Sequence, residues 1–521
     1  MRFVYLTDDA KSIDRRTLHQ ADTLAENGHE VIIVARQDGT APTSARVGGA
    51  KIHWVTNDYP RFVGPTFLGI VIGFIRGSRQ KVADSGRQSW LKKIKLTGPL
   101  RTLALFLLRR DTEWPRLIRR SGDKWMPLLR RLRIWLLVLV LSIPVALVSL
   151  FAGLLALAKS TLQAMSYNPA GTGKGIMAAT PWDKTMAHYG AYYDPDVIVA
   201  TDLPQLMGAV MAKRATGAAL AYDSHEFYSD ISSLSPEERR FLRTRERKLL
   251  PKVDVAITVN PLIADLFKAV YGKTFVTIQN ATTTPKGFKP GVKGTLFHEH
   301  LKLPKKTKIL LYQGWMPRHV RGLEELIEAF AFVKTDVQLV MMGYGDFDAF
   351  GEVARAAGAS DRVHFVKAVA QDDLIWWSAS ADVGVIPYKA IDKLHELCSP
   401  NKLYEFIAAR LPILANDLPF LRQVVHGEGF GLTRDLGTPE SIAKAIDEIF
   451  DPTADHLQKA KSNMMEKGER WEWSAESKLF MEAIQSLKPQ VPDRHFRNET
   501  KRLVTYSGLS DRGSEKILAP N

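Results

Sequence analysis

The chain opens on a short uninterrupted apolar run, FVYL at residues 3–6, the pattern of a strand buried on both faces. Leu18, Ala21, Leu24 and Ala25 then recur at helical spacing, and Gly28 ends that helix. VIIVA at 31–35 is a second buried strand. Strand, helix and strand in this order predict a parallel β-α-β unit with a right-handed crossover. The alternation resumes near residue 190 with VIVA (197–200), ALAY (219–222), VAITV (255–259) and FVTI (275–278). A Pro/Gly/Lys-rich stretch begins at 282, and residues 284–294 form a linker. A second series follows: ILLY (309–312), LVMM (339–342), VHFV (363–366), VGVI (383–386) and ILAN (413–416). The prediction is an α/β chain of two doubly wound, Rossmann-like domains, residues 1–283 and 295–465, facing across a cleft. Ligands of such sheets sit beyond the carboxyl ends of the strands, so the cleft is the expected site. The polar segment 489–521 has no sustained period and is expected to be a mobile tail.

One stretch, residues 55–190, breaks the alternation and is expected to be a largely helical insertion in the first domain. The chain carries +15 overall, and its charge is concentrated here. Between Arg76 and Arg133 there are 17 Lys and Arg against 4 Asp and Glu, so this segment holds +13. Directly after it, residues 134–158 contain no charged side chain. A straight helix of that length would cover ~37 Å, more than a ~30 Å hydrocarbon core. A simple span is disfavoured, because the chain on either side builds one sheet and both ends must lie on one side of a bilayer. Pro144 would kink the run, and the apolar runs at 62–75 and 103–108 are too short to cross. The expectation is a monotopic or re-entrant segment, with its arginines at anionic lipid headgroups. The alternative is a helix buried in an oligomer interface. A nucleic-acid partner is disfavoured, since such a segment would carry stacking aromatics rather than abut an apolar run. Cys398 is the single cysteine, so no intrachain disulfide forms. The opening MRFVYLTDD has two aspartates after its brief apolar run and is not expected to be a signal peptide.

Three segments carry candidate chemistry. In SPNKLYEFIAARLPILAND (399–417) a loop opens a helix near Lys402 and a buried strand follows. The free N–H groups of a helix start can hold a phosphate, and Lys402 adds a full charge there. Glu405, one turn on, could accept two hydrogen bonds from a vicinal diol such as that of ribose; the plain alternative is an ordinary glutamate on a surface helix. In YQGWMPRHVRGLEELIEAF (312–330), a strand ends at Gly314, where backbone can approach a ligand closely, and Arg321 precedes a glycine at a helix start. In AYDSHEFYSD (221–230), a strand delivers Asp223, His225 and Glu226 to its carboxyl end, and Asp202 follows another strand end. A histidine among carboxylates is a natural pH-sensitive group, or else the structural hub of a loop. Two D-x-D triplets, at 194–196 and 346–348, stand at the wrong end of a strand or in isolation, and no metal site is expected.

Taken together, 399–417, 312–330, 221–230 and the helix opening SIDRRTLHQA resemble the family 4 glycosyltransferases of GT-B architecture. The resemblance covers roughly residues 1–50 and 190–487 and leaves the insertion outside. It implies that Glu405, the second glutamate of the family's E-x7-E motif, holds the donor ribose, and that Arg321 binds the donor diphosphate. Ser399, Pro400, Asn401, Lys402, Leu403 and Gly314 complete the implied donor site. It implies catalytic roles for His225, Glu226 and Asp223, and acceptor-side positions for Arg16 and Asp202. The sequence departs from the family in three places. Leu397 stands where the first glutamate of the motif belongs, Trp315 where an arginine often follows the glycine, and the Gly-Gly loop after the first strand is absent.

The resemblance implies a retaining, metal-independent transfer with no cofactor, in which a UDP- or GDP-linked sugar is a substrate. Residues 466–488 are implied to form a helix returning to the first domain. With the insertion, the expected acceptor is a lipid-linked or membrane-presented glycan, in polysaccharide or glycolipid synthesis, at the cytoplasmic face of a bacterial inner membrane. A nucleotide-sugar epimerase of the same fold would need neither acceptor nor membrane. A non-catalytic lipid- or nucleic-acid-binding protein is the other alternative.

Overall fold

The computed structural model describes residues 1–10, 12–37, 44–56 and 175–489. The basic and apolar parts of the expected insertion and the tail at 490–521 lie outside them. The first lobe runs β1 (Arg2–Leu6), α1 (Arg15–Glu26), β2 (Glu30–Arg36), β3 (Ser44–Val47), β4 (Ala50–Val55), α2 (Pro181–Tyr192), β5 (Val197–Thr201), α3 (Leu203–Thr216) and β6 (Ala219–Ser224). It continues through α4 (Pro236–Leu249), β7 (Val255–Thr258), α5 (Pro261–Tyr271) and β8 (Val276–Thr277). Its sheet has the order β3-β4-β2-β1-β5-β6-β7-β8, and all its pairings are parallel except that of β3 with β4. The second lobe has β9 (Lys308–Met316), β10 (Val337–Gly345), β11 (Val363–Lys367), β12 (Val383–Ile386), α6 (Asn401–Ala408), β13 (Ile413–Asn416) and β14 (Gly431–Arg434). Its parallel sheet has the order β11-β10-β9-β12-β13-β14. Both sheets are therefore doubly wound, and each reverses its strand order once, between β1 and β5 and between β9 and β12. Those two reversals open the crevices in which such folds hold ligands.

The period-two pattern explains the packing. Phe3 and Tyr5 of β1 enter one core, and Val4 and Leu6 enter the core on the opposite face of the sheet. α1 starts where Asp14 accepts from the backbone N–H of Arg16 at 2.9 Å, and the chain turns out of it at Gly28 with φ +79°. After the second lobe the chain comes back to the first in α7 (Trp473–Gln485). Its Trp473 indole donates to Thr23 Oγ1 at 2.8 Å, Glu476 accepts from the Gln279 N–H at 2.8 Å, and Phe480 and Ile484 are buried.

One boundary expected from sequence moves. The sequence pattern places the end of the insertion at about residue 190, but α2 belongs to the body of the first lobe, where it lies against α3. Its Asp183 forms a buried ion pair with Arg245 at 2.6 Å. The helical period of α2 is weak, because the polar Asp183 and Thr185 are among its buried residues, and so it did not separate from the stretch before it. Among the described residues no helix is long and apolar enough to cross a membrane.

Candidate active site

The carboxyl ends of β1, β5 and β6 gather the first half of the site. His225, just beyond β6, has Nδ1 3.7 Å from Asp202 Oδ2 and Nε2 3.4 Å from Asp223 Oδ2. Asp202 also accepts from the backbone N–H of His225 at 2.8 Å, which fixes the loop that carries the ring. Burial opposes the imidazolium, but Asp202 and then Asp223 outweigh it and push His225 up to about 10. Asp202 itself is raised by burial, with His225 pulling the other way. Its backbone stands at φ 61° and ψ 167°, a region nearly confined to glycine and costing about 1–3 kcal/mol in other residues. That strain points Asp202 at the histidine instead of at the α3 start, which it leaves without a side-chain cap.

Arg16 and Asp223 lie beneath this loop. Arg16 Nε and Nη2 meet Asp223 Oδ2 and Oδ1 at 2.9 and 2.8 Å, and Gln20 Nε2 donates to Oδ2 at 2.6 Å. Arg16 also donates to the carbonyl of Ile278 at 2.6 Å. Both side chains of the ion pair are 2% exposed. Burial works against the charge of Asp223, and Arg16 and then His225 more than offset it, so the carboxyl sits well below the usual range. The geometry gives this pair a supporting position under His225 and leaves neither side chain facing the cleft. Glu226, next along, is raised to about 7 by burial and by Asp202, with His225 and Arg321 acting the other way.

The carboxyl ends of β9 and β12, with the start of α6, form the second half. Lys402, 5% exposed, donates to Tyr388 Oη at 2.6 Å, and its ammonium lies 4.8 and 4.6 Å from the ring centres of Tyr312 and Tyr388. Burial and the neighbouring Arg321 bring Lys402 down to about 7, against the pull of Glu405. The Arg321 guanidinium stacks 4.8 Å from the Tyr388 ring centre and 5.2 Å from that of Trp315, and donates to the Trp315 carbonyl at 3.0 Å. Neither cation pairs with a carboxylate among the described residues. Gly314 stands at φ +113°, a backbone region that favours glycine, and a Cβ there would make only an ordinary contact with Lys402 Nζ at 3.8 Å. α6 begins after Pro400 with no side chain capping it. Ser399 Oγ is spent on the Tyr404 hydroxyl at 2.7 Å, and Leu403 is fully buried. Glu405, also 5% exposed, accepts from Gln313 Nε2 and from Arg15 Nη2.

Sequence reasoning missed the groups that join the two halves. Asn260 donates to the carbonyl of Leu397 at 2.8 Å, and Asn280 to that of Ser399 at 3.2 Å. Ser232 N–H donates to Asp392 at 2.9 Å, and Arg15 reaches Glu405. The Leu397 side chain, at the place of the missing glutamate, packs against the apolar core of the first lobe. All of these join residues more than a hundred positions apart, and no local pattern marks them. Of the two D-x-D triplets, Asp196 accepts from the Arg2 N–H at 2.7 Å, and Asp346 caps a helix through the Ala349 N–H at 3.0 Å. No group of three or more metal-ligating side chains occurs among the described residues.

Comparison with known proteins fits this arrangement. Residues 307–451 match the family model described as glycosyl transferases group 1. No curated protein sequence matches the chain. Solved structures match it nearly end to end. Sucrose-phosphate synthase from Thermosynechococcus elongatus aligns over 93% of this chain and 98% of its own, with 14% identity and a TM-score of 0.56. Anabaena HepE in complex with UDP and glucose aligns over 94% and 100%, with 12% identity and a TM-score of 0.57. A lipopolysaccharide outer core galactosyltransferase aligns over 93% and 99%, with 11% identity and a TM-score of 0.51. The fold of both lobes is thus GT-B.

Proposed function

We propose that the protein is a retaining, metal-independent glycosyltransferase of family 4 type. It would move a sugar from a UDP- or GDP-linked donor to a lipid-linked or membrane-presented glycan. The observation that carries this reading is the pair of cations at the β9/β12 crevice. Lys402 and Arg321 are held against tyrosine faces without a carboxylate counter-ion among the described residues, and Glu405 lies one turn further along the helix that carries Lys402. A dianionic diphosphate supplies the missing charge, and a ribose diol suits Glu405. Anabaena HepE, of the same fold, was crystallised with UDP and glucose.

In this reading the acceptor hydroxyl attacks the anomeric carbon on the face from which the nucleotide departs. The donor's own phosphate takes the proton, and Lys402 and Arg321 stabilise the charge growing on the leaving diphosphate. The His225 imidazolium donates to the transferred sugar or to the phosphate. Glu226, raised to about 7, binds or relays at an acceptor hydroxyl. Arg16 and Asp223 hold the histidine in place. The basic and apolar insertion brings the enzyme to anionic lipid at the cytoplasmic face of the membrane.

The test is release of UDP or GDP from a panel of nucleotide sugars, with and without membrane lipid extract. Acceptor-dependent release with the anomeric configuration retained by NMR, and undiminished by chelator, is expected. Glu405→Ala should weaken donor binding by about 10- to 150-fold, the loss of a charged acceptor worth about 1.5–3 kcal/mol. Donor affinity equal to wild type in that variant, or an inverted product, would refute the assignment.

A further inference from the structure

We propose that Arg15, from the first lobe, is a positioning residue for the donor ribose. It would orient the Glu405 carboxylate so that the diol site is complete only when the two lobes are together. This rests on the donor reading above. Glu405 is 5% exposed, and in its own lobe its hydrogen-bond partner is the Gln313 amide. A buried carboxylate with no counter-ion is costly, and Arg15 supplies the positive charge from across the cleft. The position of Arg15 is built. It is the first residue of α1, and its Nη1 donates to Thr282 Oγ1 at 2.8 Å, in the strip of chain that joins the lobes. With its amide turned to accept, the Gln371 side-chain oxygen lies 3.0–3.1 Å from three nitrogens of the same guanidinium.

The lone pairs of Glu405 fit this role. An ionised carboxylate offers about four acceptor positions, two on each oxygen. Arg15 occupies Oε1 and Gln313 occupies Oε2. One position remains on each oxygen, which is what two adjacent hydroxyls need. Gln313 is itself fixed by Ser378 Oγ at 2.8 Å, so both oxygens are held from behind. Arg15 and the ribose therefore share Glu405 and do not compete for it.

The experiment is calorimetric titration of the full-length protein with UDP and with GDP. The better-bound nucleotide is then repeated as its 2′,3′-dideoxy form. Arg15→Ala should weaken the ordinary nucleotide about 10-fold, the scale of a charge-assisted contact, and barely change the dideoxy form, which has no diol. Arg15→Lys should recover part of the loss. In a Glu405→Gln background, Arg15→Ala should have little further effect. Equal weakening of both nucleotide forms would overturn the proposal, because Arg15 would then act on the fold or on closure alone. Additive losses in the double variant would overturn it too, and so would tighter binding by Arg15→Ala. Wild-type protein that binds neither UDP nor GDP would overturn the donor reading itself and this inference with it.

Discussion

Asp202→Asn tests whether His225 is an imidazolium at working pH. The substitution keeps an oxygen that can accept from the His225 N–H, now at 2.8 Å, and asparagine tolerates a positive φ about as well as aspartate. What it removes is one negative charge 3.7 Å from Nδ1. At an effective dielectric of about 20, unit charges at that separation interact by roughly 4 kcal/mol. Water at the exposed edge of the ring lowers this, leaving about 2–3 powers of ten in proton affinity. The midpoint of His225 should therefore fall from about 10 into the range of roughly 7–8. In wild-type protein the ring Cε1–H signal, assigned by its loss in His225→Gln, should keep its imidazolium position from pH 5 to about 9. In Asp202→Asn it should titrate inside that window.

Stability follows with a definite sign. The folded-state pKa of His225 lies above its ordinary 6.5, so its contribution is complete below 6.5 and is lost as pH rises through about 10. A lift of that size corresponds to roughly 5 kcal/mol, at about 1.4 kcal/mol for each tenfold change in proton affinity. The melting temperature of the wild type should fall across this interval, and that of Asp202→Asn should be lower but flatter. A wild-type signal that titrates near 6.5, or an unchanged midpoint in the variant, would refute the reasoning.

Two further outcomes rest on neighbouring groups. Asp223→Asn leaves the buried guanidinium of Arg16 without its counter-charge and should cost about 3–5 kcal/mol, read as a lower melting temperature by calorimetry; a loss under about 1 kcal/mol would contradict the burial of the pair. Lys402→Met should weaken nucleoside diphosphate binding about 10- to 100-fold by titration. Because Lys402 is lowered to about 7, wild-type affinity should decline as pH rises through 7, and the variant should lack that decline.

The sheets were legible because parallel strands buried on both faces are uninterrupted apolar runs, as in residues 309–312 and 383–386 of β9 and β12. β14 was not legible, since Gly431 opens it, whereas the short β8 falls inside the expected strand at 275–278. The grouping of residues at β9, β12 and α6 was legible where a helix start, a lysine and a glutamate follow one another. The tyrosine faces of Tyr312 and Tyr388 were not, because a tyrosine in a strand or at its end has the same pattern as a core residue. Arg16 illustrates the opposite error. A helix-opening arginine near the cleft suggests acceptor contact, but Asp223, more than two hundred residues on, draws it beneath the site. Arg15, its immediate neighbour, reaches the other lobe. One helical step separates a buried support from an inter-lobe contact, and only the third dimension distinguishes them.

The membrane reading can be tested through the chain on either side of the insertion. β4 pairs with β2 inside the first sheet, and α2 lies against α3 in the same lobe. The His53 ring of β4 stands 5.3 Å from that of Tyr189, in α2. The chain thus leaves and re-enters one lobe at neighbouring places, and any membrane segment between them must cross an even number of times or not at all. The +13 segment should contribute about 1 kcal/mol for each basic residue close to anionic lipid, and 1 M salt, with a Debye length of about 3 Å, should remove most of that. The uncharged run at 134–158 should contribute a part that salt does not remove. Full-length protein on phosphatidylserine-containing vesicles should therefore weaken but persist in 1 M salt during flotation. Replacing residues 60–174 by a short Gly/Ser linker should abolish the persistent part and leave the lobes folded, because β4 and α2 already adjoin. Release of the full-length protein by salt alone would make the apolar run a buried helix or an oligomer contact, and the acceptor would then have to reach the cleft from solution.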